Sequence, residues 1–212
     1  MSKRKDKKER ILKAAEQAFA HEGSNFSLRT VTEMAEVNVA AVNYYFGSKS
    51  QLIEELVEGI SGELNKEQLR RLSELDQCQV SDIVEAFTTP FFLLYSNKAD
   101  RKVKTAILGR LLIDTQAETR ETFYQNTREI DAAYLEALKK RLPELSEEEL
   151  YWRYRNMIGL IIHNLGKFID LPDGNSSSLS DRELISRIVG FCSAGLSSSS
   201  GNDFKSMENN RH

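Results

Sequence analysis

Proline is almost missing from this 212-residue chain: Pro90, Pro143 and Pro172 are its only three. No segment alternates apolar and polar residues in the manner of a strand, whereas apolar residues recur throughout at helical spacing. The expected fold is therefore all-α. Cysteine is also scarce, with Cys78 and Cys192 far apart and in no metal or redox spacing, so free thiols are expected rather than a disulfide. The three histidines, His21, His163 and His212, form no Glu-x-x-His pair, which gives a di-metal helical bundle no support. Neither G-x-S-x-G, nor a P-loop, nor a dinucleotide fingerprint is present. No catalytic residue, cofactor or metal site is expected, and the chain is not read as an enzyme. Long apolar runs are lacking too, and "MSKRKDKKER" has no apolar stretch behind its charges, so neither a leader nor a membrane span is expected. The expected location is the cytoplasm.

What is present begins with segregated charge. The net charge is only −3, yet residues 1–13 carry Lys3, Arg4, Lys5, Lys7, Lys8, Arg10 and Lys13 against Asp6 and Glu9. That arm holds +5 and leaves −8 on the remainder. A basic arm on an acidic body concentrates attraction for phosphate in one place, although a merely solubilising tail has the same composition.

With 40% hydrophobic residues the chain is long enough for a substantial core. A first helix is expected from about Asp6 to Glu22, with Leu12, Ala15 and Phe19 on one face and a stop at Gly23. Ser27 suits the N-cap of a second helix whose inner face is Leu28, Val31 and Ala35, and Asn38 suits the cap of a third reaching Phe46. A fourth starts near Ser48. Four helices thus fit into about sixty residues, three of them short. Periodic segments then cover about 80–95, 100–115, 118–141, 146–170 and 181–196. The polar end "SSSSGNDFKSMENNRH" is expected to be disordered.

On a helical wheel, Val42 and Phe46 of "NVAAVNYYFGSK" fall together, while Ala40, Asn43 and Tyr44 fall opposite. The second face is small, then polar, then aromatic. That profile suits a helix pressed close against a surface, and two short helices joined by a tight turn describe a helix-turn-helix, whose natural surface is the DNA major groove. A compact bundle with small exposed residues is the competing reading. Asn43 is the best candidate to read a base, because its amide can pair with an adenine edge. Ala40 and Val39 are placed to meet thymine methyls.

Residues 8–55, "KERILKAAEQAFAHEG…FSLRTVTEMAEVNVAAVNYYFGSKSQLIEELV", resemble the DNA-binding domain of TetR-type transcriptional regulators. The resemblance rests on the Ile11-Leu12-Ala14-Ala15-Phe19-Gly23 spacing, Ser27 before the second helix, Tyr44-Tyr45-Phe46 closing the third, and Ser48-Lys49 opening the fourth. It implies phosphate contacts from Tyr44, Lys49, Ser27 and Thr30, in keeping with the free N–H groups of a helix N-terminus. Lys5 in the arm and Asn38 at the cap complete the candidate DNA surface. Arg29 fits either a phosphate or groove contact or a solvated position. Two departures stand out. Glu36 occupies the turn where the family usually has glycine, so that either a non-glycine residue is left-handed there or the turn differs. Val42-Asn43 stands where an aromatic or Leu-Tyr pair is common, so operator preference cannot be copied from a relative.

The resemblance implies residues 1–48 as arm and DNA-binding domain, 49–196 as effector-binding and dimerisation domain, and 197–212 as tail. It also implies a homodimer on a palindromic operator of double-stranded DNA. "YWRYRNMIGLIIHNLGKFI" carries one stripe of Tyr154, Ile158, Ile162, Leu165 and Ile169 and a second of Met157, Ile161, Asn164 and Phe168. Two stripes need two partners. The expected dimer interface is Met157, Ile161, Asn164 and Phe168 with Ile188 and Phe191 of the last helix. A pocket for a hydrophobic or amphipathic acid is sketched by Phe87, Phe91, Tyr95, Leu111 and Phe123, with Arg110, Asn126 or His163 as polar handles. The same stripes suit a plain core. "VNYYFGSK" and "ILGRLL" are similar to a subgroup that senses fatty acids or acyl derivatives. A helical adaptor that binds no DNA is the rival from another class, and it predicts retardation of no duplex.

Overall fold

The computed structural model describes residues 3–94, 98–113, 116–166 and 179–199. Among these the regular elements are helical: α1 Lys3–Glu22, a short 3-10 turn Gly23–Asn25, α2 Leu28–Ala35, α3 Val39–Phe46, α4 Lys49–Ser73, α5 Val80–Leu93, α6 Lys98–Ile113, α7 Ala117–Arg141, α8 Glu147–Gly166 and α9 Asp181–Ser197. The all-α expectation is met. The expectation of three short helices among the first four is not. With 20 residues in α1 and 25 in α4, only α2 and α3 are short, at 8 each. The polar tail expected beyond Leu196 lies outside the described residues, apart from Ser197 to Ser199.

The start of each early helix follows from one side chain. Ser27, Asn38 and Ser48 each have an extended backbone and accept a hydrogen bond from the N–H of Thr30, Ala41 and Gln51 respectively. Each thereby satisfies one of the orphan donors of a helix N-terminus. Ile11, Ala15 and Phe19 of α1 are buried with Phe26, Val31, Ala35, Val42, Phe46 and Leu52. That shared core packs α1 on α2 and α4, with α3 held between α2 and α4.

The α2–α3 turn answers the question posed by Glu36. It is left-handed, with φ 49° and ψ 50°. Its N–H donates to the Glu33 and Thr32 carbonyls, and Arg10 of α1 closes the helix end by donating to Ala35 O at 2.6 Å and to the Glu36 carboxylate at 3.2 Å. The conformation costs an L-residue about 1 kcal/mol, while an exposed ion pair returns less than that. Glu36→Gly is therefore expected to raise stability by roughly 0.5–1 kcal/mol. Equal or lower stability on chemical denaturation would show that the Arg10 contacts outweigh the strain.

In the body, α4 packs on α5 and α7, α5 on α9, and α6 on both α1 and α8. Buried polar groups tie these helices together: Tyr134 donates to Gln68 O at 2.8 Å, Gln68 to Phe87 O at 2.9 Å, and Asn65 to Asn126 O at 2.7 Å. Arg153 on α8 closes the far end of α9, donating to Leu196 O at 2.8 Å and Ser198 O at 2.6 Å while pairing with Glu149 at 2.7 Å.

Candidate nucleic-acid interface and effector cavity

Burial of Val42 and Phe46 turns the opposite side of α3 to solvent. Ala40 and Asn43 are exposed beside Val39 and the 67% exposed Tyr44. Tyr44 packs edge-on against Tyr45 at 5.1 Å between ring centres. The helices that pack on α3 begin at capped N-termini, α2 after Ser27 and α4 after Ser48. The Lys49 ammonium lies 4.7 Å from the centre of the Phe26 ring, which holds its long stem beside the α4 N-terminus.

Other candidates are placed less simply. Ser27 Oγ and Thr30 Oγ1 lie 2.9 Å apart, so each hydroxyl is engaged with the other before any phosphate arrives. Asn38 uses its side-chain oxygen on Ala41 N at 2.9 Å. Arg29 is exposed and pairs with Glu33 at 2.8 Å along α2, which raises its pKa through that hydrogen bond and charge. Lys5 is exposed at the start of α1, 3.9 Å from Glu9. Within the arm, Lys8 is committed to Glu55 at 2.7 Å.

A cavity of about 270 Å³ opens between α4, α5, α7 and α8. Phe87, Phe91 and Phe123 line it, as their spacing predicts. Leu111 is buried in the core rather than in the wall, and its α6 neighbour Leu108 takes that place. The predicted polar handles are corrected. Arg110 points away to the end of α1, where it donates to Ala20 O at 2.8 Å and to His21 O. The Asn126 amide nitrogen is buried and has no hydrogen-bond partner among the described residues, yet it is not part of the wall, and His163 is half-buried elsewhere on α8. Tyr95 lies outside the described residues. The polar groups that do line the cavity are Ser61, Asn65, Gln68, Thr127, Asp131 and Arg155, with the Tyr124, Tyr151 and Tyr154 rings. The α7 group was legible in principle, because Phe123, Thr127, Ile130 and Asp131 recur at i, i+4, i+7 and i+8.

The residues of the expected dimer interface are placed unevenly. Met157, Ile161 and Ile188 are buried by their own chain, Asn164 is half-buried and Phe168 lies outside the described residues. Phe191 is 71% exposed and Trp152 62% exposed, and both border a groove of about 110 Å³ between α8 and α9. Neither a metal-holding group of His, Cys, Asp or Glu nor a helix long and apolar enough to cross a membrane occurs among the described residues.

The geometry agrees with the comparisons. Three solved structures share the fold: a TetR-family transcriptional regulator from Bordetella parapertussis 12822, the fatty acid degradation regulator FadR from Bacillus halodurans, and Salmonella enterica GusR. The first is 18% identical, covers 87% of this chain and 93% of its own, and has a TM-score of 0.66. FadR is 15% identical over 91% of this chain and 97% of its own, with a TM-score of 0.65. GusR is 18% identical over 93% of this chain and 99% of its own, with a TM-score of 0.61. No curated sequence matches closely enough to count as a relative. Residues 11–56 match the family described as "Bacterial regulatory proteins, tetR family", and residues 85–195 match "Tetracyclin repressor-like, C-terminal domain". The second match alone spans more than half of the chain, and a helix-turn-helix face on α2 and α3 joined to an all-helical body makes this protein a member of the TetR family of transcriptional regulators.

Proposed function

We propose that the chain is a ligand-responsive repressor that binds a palindromic operator in the cytoplasm as a homodimer and leaves it when a small hydrophobic or amphipathic effector enters the body. The observation that carries this reading is the exposed face of α3, which runs from small to polar to aromatic on a helix packed between α2 and α4. Small residues let the helix backbone approach base edges. Asn43 then reads them, and Tyr44 and Lys49 hold the phosphates. Residues 1–48 do the reading, residues 49–196 sense and pair, and the partner in pairing is a second copy seated on the Trp152–Phe191 face. An acyl or fatty-acid effector would meet Arg155 as its cationic handle, since Arg110 and His163 lie off the cavity wall.

The test is enrichment of duplexes from a random pool, followed by retardation at several salt concentrations. A two-fold symmetric sequence is expected to emerge, and failure to retard any duplex would sink the reading. Tyr44→Phe and Lys49→Ala should then weaken all duplexes by similar factors, because phosphate contacts hold register without reading sequence. Lys49→Ala should also reduce the slope of log affinity against log salt by about 0.9 per lost phosphate, with two lost per dimer. An unchanged slope removes Lys49 from the phosphates.

A further inference from the structure

We infer that the effector cavity is built for a compact hydrophobic cation, an aryl- or alkylammonium, whose charge sits against Asp131 within a wall of aromatic rings. The inference rests on the proposed reading of that cavity as the effector site and names the chemistry it takes. Six rings contribute to the wall: Phe87, Phe91, Phe123, Tyr124, Tyr151 and Tyr154. They are held as a group, since Phe87 meets Phe91 at 5.6 Å and Tyr154 edge-on at 5.6 Å. Aromatic faces carry negative quadrupole density and attract cations, most strongly where water is excluded.

Asp131 is the one carboxylate in that wall. It is half-buried and accepts from the Tyr154 hydroxyl at 2.9 Å. Among the described residues it forms no ion pair, and its protein partners are the Tyr154 and Thr127 hydroxyls. Burial pushes its pKa up, against the opposing pull of the Tyr154 and Thr127 hydrogen bonds. A carboxylate in that condition is energetically incomplete, and a ligand ammonium supplies the missing charge.

The other charged group in the wall has a different setting. Arg155 is exposed, with its guanidinium 5.8 Å from the centre of the half-exposed Tyr151 ring. Solvent already satisfies it, so it offers an anion much less than Asp131 offers a cation. The less exposed of the two charged groups is therefore the one that favours positive charge. The cavity volume of about 270 Å³ falls at or below the small end of ligand sites, roughly 300–1,000 Å³, and suits a compact cation better than a long chain.

The experiment is calorimetric titration of the full-length protein with three probes of matched shape: 4-phenylbutylamine, 4-phenylbutanol and 4-phenylbutyrate. The amine is expected to bind at least tenfold more tightly than the acid, with the alcohol between them. Asp131→Asn keeps the acceptor for Tyr154 while removing the charge, so it should weaken the amine about tenfold and leave the alcohol within twofold. A melting temperature no lower than that of the parent would confirm that this variant is folded. Tighter binding of the acid, abolished in Arg155→Gln, would overturn the cation inference while leaving the effector reading standing. If none of the three binds at millimolar concentration, the inference and the effector reading fall together.

Discussion

Phe191→Asp is expected to yield a folded monomer whose affinity for operator DNA is lower by about a thousandfold. Phe191 is 71% exposed on α9 and shares the α8–α9 groove with Trp152, which is 62% exposed. Large apolar side chains that a single chain leaves uncovered mark an association surface. In a two-fold dimer the substitution occurs twice, and truncating or charging a central aromatic anchor costs about 2 kcal/mol or more each time, which together gives roughly three decades. The monomer loses nothing comparable, because the side chain has little to lose inside its own chain. Gly190→Leu supplies an independent arm: the position is exposed and a Cβ there meets nothing within 4 Å among the described residues, so the added bulk is expected to be tolerated by its own chain and to clash with a second copy packed on α9. Ile161 makes the wrong probe, since it is fully buried by its own chain and an aspartate there would unfold the protein before it tested pairing. Sedimentation at micromolar concentration, with circular dichroism as the folding control, decides the matter. A dimer that survives both substitutions places the interface elsewhere.

Which parts of this were legible in the sequence follows from how local each determinant is. Ser27, Asn38 and Ser48 cap α2, α3 and α4 as their positions predict, because a cap is a contract between residues three apart. The inward and outward sides of α3 follow from the helical period alone, and Val42 and Tyr44 lie where it puts them. Arg110 could not be placed that way. Its partners are the carbonyls of Ala20 and His21, some ninety positions earlier, and only the packing of α6 on α1 brings them within reach. The stripes of α8 are legible as apolar, but their partners are not, since Met157 and Ile161, expected to face a second copy, are buried by their own chain. With α6, α7 and α9 all packed on it, α8 buries Tyr154, Met157, Ile161 and Ile162 inside one chain. The side it leaves open mixes Trp152, Asn156 and Gly159, which no hydrophobic count distinguishes from an ordinary wet surface.

Arg110→Met is expected to leave operator affinity and effector affinity each within about threefold while reducing the coupling between them almost to nothing. Coupling between two sites is a free energy carried by elements that both sites bias, commonly equivalent to about 5- to 150-fold in affinity. Two helices link the cavity to the first four helices of the chain. One is α4, which starts at Lys49 and lines the cavity with Ser61, Leu64, Asn65 and Gln68. Ser61 follows Lys49 by twelve positions, a span of about 18 Å on a straight helix. The other is α6, which contributes Leu108 to the cavity and, two residues later, Arg110 to the end of α1. Since Leu108 and Arg110 share one rigid turn, a ligand that shifts the first must drag the second and, with it, the last carbonyls of α1. Methionine keeps the stem and its packing but cannot donate to those carbonyls, which then turn to water. Both affinities should be measured in a titration of the protein–operator complex, because linkage requires effector and DNA to weaken each other by the same factor. If coupling persists in Arg110→Met at an unchanged melting temperature, the signal runs along α4, and substitutions facing the cavity at Asn65 should abolish it instead.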